Sequence, residues 1–175
     1  MRVIDLSGAF RLRDAGRYPG HYGFTHAHAP LLAEAVYGLT ERARPAIARA
    51  RLVANPGCYA TAIQLALAPL LDAGVIARDR LIVDAASGVT GAGRKATEAM
   101  SFAEVDGDLR AYRALRHQHT PEIEQGLAAA VAFVPHLLPI RRGILATCHA
   151  ELAPHATAAA SPCSISGVCW WRSAR

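Results

Sequence analysis

An α/β fold is what this chain predicts, and three observations carry the expectation. Short apolar runs bounded by Gly, Pro, Ser or Asp recur at residues 3–6, 52–54, 81–83, 131–134 and 144–148, which is strand patterning. Stretches whose apolar residues return at helical spacing lie between them, over 59–72 and 120–130. Strands alternating with helices make a layered α/β domain. The 175 residues are also 52% hydrophobic and 19% charged, which is enough apolar material for a core and too little charge for a disordered chain.

The elements follow in order. Val3-Ile4-Asp5-Leu6, ending in Ser7-Gly8, reads as a buried strand that begins with the first residues. Residues 14–40 are rich in Gly, Pro, His and Tyr and read as an irregular surface segment with a short helix at 31–36. His21, His26 and His28 are expected to be solvated there. The strand at 52–54 runs into Asn55-Pro56-Gly57-Cys58. Beyond it, Ile63, Ala66, Leu67, Leu70 and Leu71 mark a helix that Gly74 closes. The strand at 81–83 leads into a glycine-rich loop over 87–94. Thr120-Pro121-Glu122 offers a hydroxyl cap, a first-turn proline and an acid at the positive dipole end. Ile123, Leu127 and Ala130 give that helix its apolar stripe. After about residue 150 the periodicity fails, and 151–175 are expected to be a disordered tail.

Charge and cysteine usage narrow the function classes. The net charge is +5, but 18 of the 19 basic residues are Arg, scattered rather than gathered in runs, so they read as a solvated surface and not a nucleic-acid footprint. The most apolar stretch, 126–135, is far short of the roughly 18 residues that span a bilayer. Four cysteines without a C-x-x-C pair, and no apolar leader, lead us to expect reduced thiols in the cytoplasm.

Cys58 carries the chemistry. A strand, a Pro-Gly turn and a helix that begins at the thiol put the sulfur where unpaired amides and the helix dipole favour a thiolate. The dipole supplies only about 0.3–1 kcal/mol, well under one pKa unit. A nucleophilic Cys58 therefore needs a basic partner, and a paired thiolate would titrate near or below neutrality. His117 and His119 are candidates, with Glu122 placed to orient or charge an imidazole. Two histidines at that spacing also suit a metal, but no third ligand stands at a recognisable distance, and no metal is expected. The loop with Ser87, Gly88, Gly91 and Gly93 would let a phosphate or cofactor approach the backbone, though it is neither a G-x-G-x-x-G nor a Walker loop. Arg11, Arg13 and Arg94 are candidate contacts for an anionic substrate.

Taken in this order, the motifs resemble the N-acetyl-γ-glutamyl-phosphate reductase family. The likeness rests on Val3-Ile4-Asp5-Leu6-Ser7, Ala9-Phe10-Arg11-Leu12, Tyr37-Gly38-Leu39 and Asn55-Pro56-Gly57-Cys58-Tyr59 with Thr61. It continues through Ser87-Gly88-Val89-Thr90-Gly91-Ala92-Gly93-Arg94, His117-Gln118-His119-Thr120-Pro121-Glu122-Ile123, and Pro139 with Arg142-Gly143-Ile144. It covers residues 2–150. The resemblance implies that residues 1–55 end a Rossmann-type dinucleotide domain, and that 56–150 begin an α+β catalytic domain like that of glyceraldehyde-phosphate dehydrogenase. It further implies reduction of N-acetylglutamyl 5-phosphate to the semialdehyde by NADPH, through a thioester on Cys58. His119 would be the acid/base and Glu122 its orienter, with Arg11 and His117 at the substrate and Ser87, Gly88, Gly91 and Gly93 at the cofactor. The family is typically oligomeric. Its Gly-rich turn would precede residue 1 and its further strands would follow residue 150, so the chain reads as truncated at both ends. Competing readings are a silent remnant, a relative acting on a carrier-bound amino acid phosphate, and a cysteine acyltransferase or hydrolase without nicotinamide.

Overall fold

A computed structural model describes residues 1–92, 98, 101–154, 156 and 169–171. Two sheets share the chain. The first is parallel, in the order β1 (Val3–Asp5), β3 (Leu52–Ala54), β2 (Val36–Tyr37). The second is mixed, in the order β5 (Arg110–Ala111), β6 (Val131–Leu138), β4 (Leu81–Gly88), β7 (Ile144–His149), β8 (Cys169–Trp171). Within it β4 runs parallel to β6 and antiparallel to β7. The helices are α1 (Tyr18–Tyr22), α2 (Thr40–Arg49), α3 (Cys58–Asp72), α4 (Phe102–Val105) and α5 (Thr120–Leu127).

The second sheet obeys the period of two. Leu81, Val83, Ala85, Val131, Phe133, Ile144 and Ala146 are buried and pack with Ile63, Leu67 and Leu71 of α3 and Ile123 and Leu127 of α5 in one core. On the other side Ile82, Asp84, Ala132 and Thr147 are exposed and Val134, Leu138 and Leu145 half-buried, so among the described residues only one face of this sheet is covered. Helix α3 ends in a Schellman turn. Gly74 takes φ 67°, its N–H donates to Leu71 O at 3.2 Å, and Val75 N–H donates to Leu70 O at 2.9 Å. A smaller core of Leu12, Tyr18 and Leu32 supports the N-terminal segment, and the Tyr18 hydroxyl is bonded to both the N–H and the C=O of Leu12.

Several expectations are corrected. Val3, Ile4 and Leu6 are exposed, because β1 is the edge of its sheet and no described element covers it. The helix expected at 31–36 is a 3-10 turn over Ala29–Leu32, and Val36 opens β2 instead. His26 is not solvated: its Nε2 lies 2.8 Å from Ala9 O and its ring packs edge-on against Phe10 and Tyr18. Ser87 and Gly88 belong to β4, paired with Leu137 and Leu138, and the loop proper is a 3-10 turn over Val89–Ala92. Thr120 is the first residue of α5 and not its cap; the cap position is His119, and Thr120 Oγ1 is buried without a partner. The expected tail is ordered at its start, where Ile76 bridges Leu152, and at Cys169–Trp171, which pair with Ile144–Ala146 as β8. The rest of 157–175 lies outside the described residues, as do Gly93 and Arg94. No helix among the described residues is long and apolar enough to cross a membrane.

Phe133 is fully buried where β6 meets α3 and α5. Phe133→Ala should lower unfolding stability by about 3–5 kcal/mol, read from urea denaturation; a loss below about 1 kcal/mol would contradict this account of the core.

Candidate active site

Gly57 and Cys58 form the junction between the two sheets. Ala54 ends β3, three residues turn, and α3 starts at Cys58 with Gly57 at the N-cap. The turn is tied from several sides. Thr61 donates both its N–H (2.9 Å) and its hydroxyl (3.0 Å) to Gly57 O. The Gly57 N–H donates to Glu122 Oε1 at 2.8 Å. A Cβ on Gly57 would stand 2.4 Å from His119 Nε2, so glycine is required here because the imidazole lies against the backbone.

Cys58 is exposed, as a nucleophile requires. Two pockets share it. One of about 360 Å³ is bounded by Gly38, Leu39, Asn55, Pro56 and Thr61. The other, of about 170 Å³, is bounded by Ser87, Gly88, Thr90, Gly91, Arg142 and Gly143. Gly88 is needed for the second: a Cβ there would meet the backbone of Arg141 and Arg142 at 2.7 Å. The sulfur is open on one side, yet enough protein stands around it that desolvation raises the thiol pKa. The amides of Tyr59 and Cys58 and the charge of Arg11 oppose that rise, and the charge of Glu122 adds to it.

His119 and Glu122 sit under the turn, nearly sealed from solvent. Glu122 is 0% exposed; its Oε1 accepts from Gly57 N–H and from the Tyr37 hydroxyl at 2.7 Å, while Oε2 has no hydrogen bond and faces Arg11 Nη1 at 3.7 Å. Burial raises its carboxyl pKa, against the pull of Arg11, Tyr37 and Gly57. His119 Nε2 lies 3.4 Å from Arg11 Nη1, and its Nδ1 is buried with no partner. Arginine has only donors, so Nε2 presents its lone pair and the proton belongs on Nδ1. Burial, with His117 and Arg11 adding to it, lowers the His119 pKa to about 3. His117 Nδ1 accepts the His119 N–H at 3.1 Å within a cage of Tyr59, Tyr112 and Phe133 rings, and burial, with Arg113 beside it, lowers its pKa to about 4.

The expected residues thus fall into two groups. Cys58, Ser87, Gly88 and Gly91 line one pocket. His119, Glu122, His117 and Arg11 form the wall behind the turn. No hydrogen bond joins Cys58 to His119 among the described residues, and burial raises the pKa of the thiol while lowering that of the imidazole. Glu122 grips Gly57 and Tyr37 rather than His119. Arg11 is committed to Asn55 O at 2.8 Å and Leu6 O at 3.4 Å as well as His119, and His117 is buried, so neither is presented to the pockets at Cys58. Sequence reasoning passed over Tyr37 and Gln64. Gln64 donates to the Tyr37 hydroxyl at 3.0 Å and to Glu122 O at 3.3 Å, and its amide lies where a Cβ on Gly126 would clash. The signal was there: one polar residue on the apolar stripe of α3 needs a partner. No group of three or more metal-ligating side chains occurs among the described residues.

The site is thus an exposed thiol at the head of a helix packed on the mixed sheet of an α/β domain, backed by a sealed imidazole and carboxylate. The chain belongs to the family described as semialdehyde dehydrogenase, dimerisation domain, which matches residues 58–162. Among curated relatives, the N-acetyl-gamma-glutamyl-phosphate reductase of Aromatoleum aromaticum is 52% identical over 159 residues, 87% of this chain and 46% of that protein. The probable chloroplastic N-acetyl-gamma-glutamyl-phosphate reductase of Arabidopsis thaliana is 49% identical over 160 residues, 88% of this chain and 40% of that one. The chain therefore spans less than half the length of these relatives. Among solved structures, aspartate semialdehyde dehydrogenase II from Vibrio cholerae shares the fold, with TM-score 0.56 and 17% identity over 73% of this chain and 47% of that one.

Two predictions follow the proton positions. Carbamidomethylation of Cys58 against pH should rise in one step, with its midpoint above the value of about 8.5 for a free cysteine and no inflection between 5 and 7. A plateau below pH 7 would show a paired thiolate after all. The buried histidines also couple folding to pH. Their pKa values are lowered to about 4 and about 3 from an ordinary 6.5, so the unfolded chain binds more protons below pH 6.5. Their contribution to stability is present above pH 6.5 and is lost on acidification through that window, by up to about 1.4 kcal/mol per pH unit for each histidine. Denaturation midpoints from pH 7 to 4 should fall accordingly, and less steeply in His117→Asn; equal slopes would remove the histidines from the account.

Proposed function

We propose that Cys58 is the nucleophile of an acyl-phosphate reductase, acting on N-acetylglutamyl 5-phosphate in arginine biosynthesis. The observation that carries this is the exposed thiol at the first residue of α3, between two pockets and with the amides of Cys58 and Tyr59 directed at it. The names of the relatives about 50% identical over most of the chain support the substrate. In this reading the sulfur attacks the acyl carbon, the bond to phosphate breaks, and phosphate leaves as a thioester forms. The thiol proton has to go to a base; the family resemblance gives that role to His119, whose Nε2 would have to part from Arg11 to take the proton. The amides at the head of α3 stabilise the sulfur anion as it develops.

The smaller pocket fits part of a nicotinamide cofactor. Ser87, Gly88 and Gly91 would hold it against the sulfur, and about 170 Å³ has room for one ring and not for a whole dinucleotide. NADPH, when bound, supplies the hydride that the thioester needs. Arg142 in the same pocket favours a second reading, in which it receives the departing phosphate.

We assign residues 1–55 to the end of the dinucleotide-binding domain and 56–150 to the catalytic domain. The parallel sheet belongs to the first and the mixed sheet to the second. The uncovered face of the mixed sheet, with Ile82, Val134, Leu138 and Leu145, is proposed to meet a second copy, in keeping with the family's description. A reducing, cytoplasmic compartment suits a thiol that must remain free.

Incubation with the acyl phosphate and no NADPH should release one equivalent of phosphate per chain and leave an acyl group on Cys58 by peptide mass spectrometry. Added NADPH should then yield semialdehyde. Continuous phosphate release without NADPH would indicate a hydrolase, and an unmodified Cys58 would end the nucleophile assignment. Val134→Arg should shift sedimentation towards monomer; an unchanged profile would clear that face of the sheet.

A further inference from the structure

We propose that Tyr37 is a positioning residue for Cys58: its hydroxyl holds Glu122 in the orientation that accepts the Gly57 N–H, and so fixes the turn from which the thiol projects. The inference rests on the reading of Cys58 as a nucleophile and extends the site into the parallel sheet.

The geometry leaves Glu122 one orienting contact besides Gly57 itself. Its side chain is fully buried, so water does not hold it. Oε2 has no hydrogen bond, and Arg11, at 3.7 Å, attracts without directing. Oε1 takes both the Tyr37 hydroxyl at 2.7 Å and the Gly57 N–H at 2.8 Å. The Tyr37 hydroxyl is fixed in turn by accepting from Gln64 Nε2 at 3.0 Å, so its single proton is free for Glu122.

The backbone ties the same residues a second time. Tyr37 pairs with Ala54 in the parallel sheet, and Gly38 N–H donates to Ala54 O at 2.8 Å, three residues before Gly57. The far side of Gly57 is closed by the His119 ring. Gly57 is therefore held between an imidazole and a carboxylate, and the carboxylate is aimed by a tyrosine from the other sheet. If Gly57 moves, the amides of Cys58 and Tyr59 move off the sulfur.

Amide exchange measured by NMR reads Gly57 directly, without reference to catalysis. In Tyr37→Phe the Gly57 amide should exchange about fivefold faster than in wild type, the factor that one ordinary hydrogen bond represents. Ala68 and Leu71, inside α3, should keep their protection. Tyr18→Phe is the control: it removes a buried hydroxyl with two backbone partners, and Gly57 should not respond. Carbamidomethylation of Cys58, with Cys148 as internal standard, should slow about threefold or more in Tyr37→Phe alone. Unchanged Gly57 exchange in a folded Tyr37→Phe overturns the proposal, as does faster exchange with unaltered thiol reactivity, or an equal response in Tyr18→Phe.

If Tyr37→Phe does not fold, Glu122→Gln and Glu122→Ala decide the matter. Protection of Gly57 retained in the first and lost in the second supports the clamp, and equal values in both overturn it. Failure of Cys58 to become acylated would sink the reductase reading and leave these exchange results standing.

Discussion

The hydrogen bond from the Gly57 amide to the buried Glu122 carboxylate is the contact on which the arrangement around Cys58 depends. Desolvating a carboxylate costs several kcal/mol, and here only one of its two oxygens is hydrogen-bonded. The head of a helix is one of the few interior places where such a group is favoured, because unpaired N–H groups and the dipole both attract an anion. The donors at that end of α3 are divided between two acceptors. Gly57 serves Glu122, while Cys58 and Tyr59 serve the sulfur. The charge of Glu122 raises the Cys58 pKa, so this division of donors works against the thiolate.

The two histidines show the same economy of polar groups. His117 gives its lone pair to the backbone of His119, and His119 gives its own to Arg11. Both rings are then neutral acceptors inside aromatic walls, and a guanidinium stands where a proton on Nε2 would have to be. An imidazolium is unwelcome in that environment. A thiolate at Cys58 must therefore be supported by the amides of α3 and by Arg11 rather than by a positively charged histidine. Arg11 reaches this role from the N-terminal segment, anchored on Leu6 O and Asn55 O.

Much of this was legible in the sequence, and what was not has physical reasons. The apolar spacing of Ile63, Leu67 and Leu71 gave α3, because these residues share one core with the buried face of the mixed sheet. Helix α2 gave no such signal: it buries no residue and carries Pro45 in its interior. Strand β4 runs on to Gly88, where the glycines suggested a loop, since Gly88 is required by the close approach of residues 141–142 rather than by a turn. Val3 and Ile4 have the composition of a buried strand, but burial depends on neighbours, and their pattern could not show that β1 lies at an edge. The motifs pointed to the thiol and to His119, whose ring the fold sets against the Gly57 backbone. It could not reveal that Glu122 bonds Gly57, because partners 65 residues apart leave no mark in local spacing.

That last contact bears on what counts as the functional unit. The family match begins at Cys58, the first residue of α3. Gly57, Tyr37 and Arg11, the donors and the cation that face the Glu122 carboxylate, all precede it. A segment beginning at Cys58 would keep the thiol, both histidines and the acid, but would leave Glu122 without a partner for its side chain. An unpaired carboxylate in that position protonates or opens its surroundings to water, and either change releases the head of the helix. The parallel sheet is therefore part of the site in an energetic sense, whatever it binds: it supplies Tyr37 and leads into Gly57, whose hydrogen bonds let an acid stay buried behind a cysteine.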